Sequence, residues 1–206
     1  MSNTPSFSWL GQQPYLPLWE KLQLRAAAVA AGDQSEVIWS CEHEAVYTTG
    51  RRAVDNREQP ELPAPLIHTD RGGETTFHGP GQLMLYPIIH LKQRHISPKA
   101  YVHLLEASCI NLLAEWNISA ERRCSLPGVW TDEGKITAIG LRIKEGVAYH
   151  GMALNVVVKP EWFGAINPCG TGLKSVNLSD YIEEYPQIVQ LAKQWQHHFT
   201  TLLTLN

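Results

Sequence analysis

Cysteine is scarce in this chain and never paired: Cys41, Cys109, Cys124 and Cys169 are the only four, and no C-x-x-C spacing occurs. That disfavours a zinc knuckle or a disulfide framework, and free thiols fit a reducing, cytoplasmic setting. Charge of one sign is lacking too. Seventeen basic against twenty acidic residues leave a net charge of -3, which offers no electrostatic footprint for nucleic acid. No apolar run is long enough to span a bilayer, and residues 1–13 lack the charged start and apolar stretch of a secretory signal. Internal repeats and low-complexity linkers are also missing. What remains is a chain of 206 residues, 44% apolar and 18% charged, which predicts one soluble globular domain over residues 1–206.

Hydrophobic periodicity and turn chemistry supply the elements. Residues 15–31 read as a helix, with Pro17 in the first turn, Leu18, Leu22 and Val29 on one stripe, and Gly32 closing it. Ser97 followed by Pro98 starts a second helix that runs to Trp116, and residues 185–203 form a third. Residues 36–41, 46–48 and 83–89 read as strands. Four more follow at 119–124, 128–131, 135–143 and 147–158, joined in part by the turns Asp132-Glu133-Gly134 and Lys144-Glu145-Gly146. Residues 51–65 read as an exposed loop. The fold class expected is α/β (α+β): a mixed, partly antiparallel sheet covered by helices.

Three segments are unsuited to pure scaffold. Residues 71–82, RGGETTFHGPGQ, carry four glycines and a proline just before a strong strand. Such a loop lets its backbone approach a ligand closely, and Arg71, Thr75, Thr76, His78 and Gln82 are polar groups a site could use. No GK[ST] follows, so it is not a P-loop. In residues 164–180, GAINPCGTGLKSVNLSD, Cys169 sits in a polar, glycine-rich stretch without apolar periodicity. Cys109 and Cys124 instead fit core positions, and Cys41 fits a structural strand end. In residues 135–153, Lys135 opens a strand after a tight turn, and His150-Gly151 interrupts the next one. A glycine there marks a bulge or a close backbone approach. The plainer readings are a solvated hairpin lysine and a satisfied core or edge histidine.

RGGETTFHGPGQLMLY, together with GKITAIG, YHGMALNV and NPCG in that order, resembles the lipoyl(octanoyl) transferase family, which shares its fold with the catalytic domains of biotin and lipoate ligases. The resemblance runs from about the first helix to Asp180. It implies transfer of an octanoyl group from octanoyl-acyl carrier protein to a lysine of lipoyl domains, those of 2-oxo acid dehydrogenase complexes and the glycine cleavage H protein, as the first step of endogenous lipoylation. It implies Cys169 as the residue carrying the acyl group as a thioester, with Lys135 as its partner in a catalytic dyad. It further implies a substrate site lined by Arg71, Gly72, Gly73, Glu74, Thr75, Thr76, Phe77 and His78, by Ala138, Ile139 and Gly140, and by Gly151, Met152 and Ala153. No metal, cofactor, nucleic acid or membrane is implied. After the cysteine, SVNLSDY departs from the Thr-Ser-Leu-like run of relatives.

The chemistry asks for these groups. A free cysteine, with a pKa of about 8.5, is only slightly ionised at pH 7, and the thiolate is the nucleophile. Lys135 either stabilises the thiolate as an ammonium or takes the proton as a neutral base. The attacking lysine, with a reference pKa of about 10.4, must also lose a proton, which calls for a base in the second half-reaction. Both halves pass through an oxyanion, for which glycine-flanked amides near Cys169 and in the 71–78 loop are candidate donors. His78 is the runner-up for proton transfer. Arginines 51, 52, 122 and 123 are candidates for steering acidic partners. Two other reactions share some of these features: an ATP-dependent lipoate or biotin ligase, and a cysteine thioester hydrolase.

Overall fold

The computed structural model describes residues 4–52, 61–166 and 174–205. Strand β1 (Ser6–Gln13) leads into helix α1 (Tyr15–Ala31). Then come β2 (Val37–His43), β3 (Val46–Thr49), β4 (Leu66–His68), β5 (Thr76–His78) and β6 (Gln82–His90). Helix α2 (Pro98–Ala114) precedes β7 (Glu121–Arg123), β8 (Leu126–Trp130), β9 (Lys135–Lys144) and β10 (Val147–Asn155). The chain ends in a short α3 (Pro160–Gly164) and the long α4 (Ile188–Thr204).

Seven strands form one sheet in the order β1-β2-β6-β10-β9-β8-β7, and β4-β3-β5 form a second, small one. The large sheet is mixed: β1 and β2 are parallel and every other neighbour is antiparallel. Strand β6 shows why both faces are covered. Leu83, Leu85 and Ile89 join the core beneath α2 and α4, whereas Met84, Tyr86 and Ile88 join the core beneath α1. A run of apolar residues with period-two sidedness is what a strand buried on both faces requires. Among the described residues, no helix is long and apolar enough to cross a membrane.

Local chemistry sets the ends of these elements. Gly32 closes α1 at φ +83°, with its N–H and that of Asp33 returned to Val29 and Ala28 carbonyls. The Ser97 hydroxyl accepts from the Ala100 amide at the start of α2, and Pro98 occupies the first turn. Glu145 (φ +52°) and Gly146 (φ +85°) form the two-residue turn between β9 and β10, whose positive φ values match the twist of the strands. The terminal helix starts at Ile188, past Pro186, rather than at Tyr185.

One cysteine assignment is corrected. Cys124 is exposed, because it lies in the turn after β7, the outermost strand, with Ser125 at φ +62°. Cys41 and Cys109 are buried, and burial raises both thiols, Cys109 to about 12. Neither forms thiolate readily. Cys169 lies outside the described residues.

Candidate active site

On the α1 face of the sheet, β9, β10 and β6 form the floor of a cavity of about 240 Å³. Its floor follows from the register. Ala138 faces Ala153, and Gly140 faces Gly151, across β9 and β10. Ala153 in turn faces Met84 of β6. Paired small residues leave a trough where ordinary strands would fill the space with side chains. Gly151 has no alternative: a Cβ there would overlap the Leu85 carbonyl oxygen of β6. At Gly140 a Cβ would press on Arg71 Cδ and the Gly72 carbonyl oxygen, both at 3.1 Å.

The walls come from Tyr15 at the start of α1, from the 71–78 loop, from Leu126 and Pro127, and from Phe163 and Ser175. Twelve of the fourteen residues expected to bind substrate line this cavity; Gly72 and Phe77 do not. Phe77 is fully buried on the other side of its strand, stacked on Trp162 at 4.7 Å and packed against Tyr47. Gly72 donates its amide to the Leu141 carbonyl at 2.8 Å, so it is no free oxyanion donor.

Arg71 lines the cavity but holds the loop together. Its guanidinium donates to the Thr48 hydroxyl and carbonyl and to the Gly72 and Glu74 carbonyls, at 2.7–3.2 Å. This ties the glycine-rich loop to β3. The buried charge also acts on its neighbours, as His78 shows.

His78 is buried. Its Nδ1 meets the Gln82 Oε1 at 2.8 Å, the Gln82 Nε2 donates to Asn155 Oδ1 at 2.9 Å, and Asn155 Nδ2 donates to the Val176 carbonyl at 3.2 Å. Since Gln82 presents its carbonyl oxygen, His78 is the donor at Nδ1 and keeps an acceptor at Nε2. Burial first, then the Arg71 charge and His43, hold its pKa well below the usual imidazole value. It is a neutral ring at pH 7, stacked parallel to Tyr15 at 5.8 Å. A neighbouring pair is built similarly. His43 bonds the Gln13 carbonyl through Nδ1 at 2.8 Å and the Tyr86 hydroxyl through Nε2 at 2.7 Å. Burial pushes His43 down to about 4.

His150 has left-handed backbone, φ +59°. Its Nε2 donates to the Asp70 carboxylate at 2.8 Å, which also accepts from the Tyr149 hydroxyl and from Trp19 Nε1 at 3.1 Å. Burial lowers His150 against the pull of that carboxylate, so it stays neutral. Burial alone would raise Asp70, but the hydrogen bonds from His150, Tyr149 and Trp19 hold it well below the usual carboxylate range. Asp70 thus pins the start of the 71–78 loop to β10 and α1.

Lys135 is half-buried, and its side chain reaches the cavity over β8. Gly128 gives it passage: a Cβ there would come 2.7 Å from Lys135 Cε and 3.4 Å from Nζ. The ammonium lies 5.1 Å from the centre of the Trp130 ring, and Arg123 lies 4.9 Å from the same ring. The Lys135 amide donates to the Lys174 carbonyl at 2.8 Å, and the Val176 amide donates to the Lys135 carbonyl at 3.0 Å. The chain that follows residues 167–173 therefore returns beside Lys135.

Of the four arginines, Arg52 is exposed and lines the cavity, and Arg51 is exposed beside it. Arg122 pairs with Glu106 at 3.3 Å, and Arg123 pairs with Glu121 at 3.1 Å. Asp70 and Tyr15 are not among the expected site residues, and Tyr86 and Asn155 enter the sequence signature only as members of RGGETTFHGPGQLMLY and YHGMALNV, with no role assigned to them. Asp70 adjoins the RGG motif, and an acid directly before its arginine is the signal the sequence offers for it. Tyr15 sits in an ordinary apolar pattern and carries no signal, whereas Tyr86 closes the RGGETTFHGPGQLMLY motif and is marked by it.

With this geometry in place, three comparisons bear on the site. The family model of the lipoyl protein ligase A/B catalytic domain matches residues 18–200. An octanoyltransferase of Azoarcus sp. (strain BH72) is 42% identical over 174 residues, covering 84% of this chain and 76% of the relative. One of Coxiella burnetii (strain CbuK_Q154) is 41% identical over 170 residues, covering 82% and 70%. In fold, the chain is similar to a bipartite lipoate protein ligase of Thermoplasma acidophilum described with its E2 lipoyl domain. The TM-score is 0.73 at 14% identity, over 98% of this chain and 84% of that one.

Proposed function

The chain belongs to the lipoyl protein ligase A/B catalytic domain family, and from that premise we propose that it moves an octanoyl group from octanoyl-acyl carrier protein to a lysine ε-amine of a lipoyl domain, through a thioester on Cys169. The observation that carries this reading is a trough floored by Ala138, Gly140, Gly151 and Ala153 with the Lys135 side chain at its rim. A trough floored by small apolar residues with a lysine at one end suits an acyl thioester, whose tail is alkyl and whose carbonyl oxygen develops negative charge. Phe163 and Ser175, which lie in the described chain on either side of residues 167–173, both line the cavity and support the place of Cys169 in the reaction.

In the first half-reaction the Cys169 thiolate attacks the thioester carbonyl, a C–S bond to the enzyme forms, and the carrier thiol leaves with a proton. In the second, the lipoyl-domain amine attacks the Cys169 thioester, an amide forms, and the Cys169 sulfur is the leaving group. Lys135 takes the cysteine proton, passes it to the departing carrier thiol, and then accepts the proton that the attacking amine loses. The donor is already activated as a thioester, so the reaction needs no ATP. Neutral His78 presents Nε2 as an acceptor to the cavity and positions the loop through Gln82 and Asn155.

Intact mass measurement after incubation with octanoyl-acyl carrier protein tests this. An octanoyl-sized adduct is expected, cleaved by hydroxylamine and absent in Cys169→Ser. Product formation that requires ATP, or release of free octanoate without a protein acceptor, would overturn it in favour of a ligase or a hydrolase.

A further inference from the structure

We propose that Met84 is the end stop of an acyl-length ruler laid across four strands, which makes it a specificity-determining residue. The inference rests on the acyl-transfer reading, because that reading places the reacting carbonyl at the Lys135 end of the trough.

The ruler is visible in the register. Gly128 of β8 faces Ala138 of β9, Ala138 faces Ala153 of β10, and Ala153 faces Met84 of β6. Glycine, alanine, alanine and methionine thus form one row perpendicular to the strands. At its first position the Lys135 side chain passes over the backbone, with Nζ 3.4 Å from where a Gly128 Cβ would be. The last position is the first in the row with a long side chain. Met84 is buried, and across the next ladder it faces Cys41, which is fully buried in the core beneath α1. An alkyl chain travelling along the row from Lys135 therefore meets no obstruction until Met84, and the wall behind Met84 is packed. Tyr86, two residues along β6, lines the same end, and its hydroxyl is held by His43 at 2.7 Å.

The length of the row matches a medium chain. Three interstrand spacings of about 4.8 Å make about 14 Å. Subtracting about 3 Å of polar contact at the ammonium and about 4 Å of van der Waals contact at the methionine leaves on the order of 7 Å. Bonds of about 1.5 Å in an extended zigzag advance about 1.25 Å each, so the row holds on the order of seven carbons. That is the size of an octanoyl tail.

The test is a panel of acyl-acyl carrier proteins from C4 to C14, with an isolated lipoyl domain as acceptor, comparing the intact protein with Met84→Ala and Ala153→Leu. The C8 optimum should move to C10–C12 in Met84→Ala, with the C12-to-C8 ratio of kcat/KM rising at least 10-fold. Ala153→Leu should move it to C4–C6, with C8 transfer falling at least 10-fold relative to C4, since one methylene in an apolar pocket is worth about 10- to 200-fold. General destabilisation cannot shift the optimum in opposite directions in two variants. Met84→Val, a milder change, should shift it in the same direction as Met84→Ala if the latter folds poorly. An optimum that stays at C8 in these variants overturns the ruler while leaving the transferase reading intact. Absence of transfer at every length in the unaltered protein instead sinks the transferase reading. Thermal-shift binding of free fatty acids from C4 to C14 then decides the ruler alone: the same opposite displacements sustain it, and unchanged preferences overturn it.

Discussion

Asp70 ties the start of the substrate loop to β10 and α1, and replacing it should be felt in both stability and substrate affinity. In Asp70→Ala, His150 Nε2–H and the Tyr149 hydroxyl lose their acceptor, as does Trp19 Nε1–H. A buried donor left unpaired costs about 1–3 kcal/mol. The Asp70 side chain is 29% exposed, so water replaces part of what the carboxylate supplied, most readily at Trp19. Counting His150 and Tyr149 at about 1.5 kcal/mol each, below the middle of that range because water reaches the carboxylate, gives about 3 kcal/mol. For a chain of 206 residues, that corresponds to a fall in Tm of roughly 6–12 °C. The assay is thermal or urea unfolding across pH. Asp70 has a depressed pKa in the folded state, so its contribution is fully present above the unfolded value of about 3.9 and is lost as pH falls through the folded value. The gap between the unaltered protein and Asp70→Asn should therefore be constant from pH 7 to about 5 and shrink below about 4. A gap that is the same at pH 3 as at pH 7, or an alanine variant melting within about 1 °C of the parent, would refute this account of the anchor. The same variants should raise KM for the acyl donor, because the loop from Arg71 to His78 loses its tie to β10.

Lys135→Ala should slow both half-reactions, read as single-turnover acylation of Cys169 and as transfer from the isolated acyl-enzyme; slowing of acylation alone would remove the lysine's second role as base. Trp130→Leu removes the ring beneath the Lys135 ammonium, an interaction worth about 0.5–2 kcal/mol. It should lower kcat about 2- to 30-fold with KM nearly unchanged, and Trp130→Tyr should restore most of the loss; equal defects in both variants would assign Trp130 to packing only. His43, lowered to about 4 by burial, binds a proton later than it does in the unfolded chain. Stability should therefore fall by about 3 kcal/mol through this group as pH drops from about 6.5 to about 4, and His43→Gln should flatten that part of the profile in urea titrations. An unchanged slope would show that His43 is not neutral in the folded protein.

Much of the architecture was legible because its causes are local. Proline, serine and glycine punctuate α1 and α2, and the Glu145-Gly146 turn needs the positive φ values that such a pair tolerates. Apolar patterning located β6, β9 and β10, and in β6 and β10 the sides are set by strict alternation between the two cores. Strand β1 escaped notice because an edge strand pairs on one side only and its partly exposed residues show no clear alternation. Strands β4 and β5 are three residues each, too short for a periodic signal, and they exist because β3 pairs with both.

The sequence by itself determined the chemistry available: a cysteine in a polar glycine-rich stretch, a lysine after a tight turn, a glycine loop before a strong strand, and small residues where strands usually carry large ones. Tertiary structure decided which of these groups meet. Register set Ala138 against Ala153 and Gly140 against Gly151, which converts scattered small residues into one trough. Packing turned Arg71 from a free polar group into a clamp on Thr48, and aimed Phe77 away from the site. It also brought Asp70 to His150, eighty positions apart. Those outcomes depend on pairing between distant strands and on burial, which are sums over the whole chain and are written in no local stretch of it.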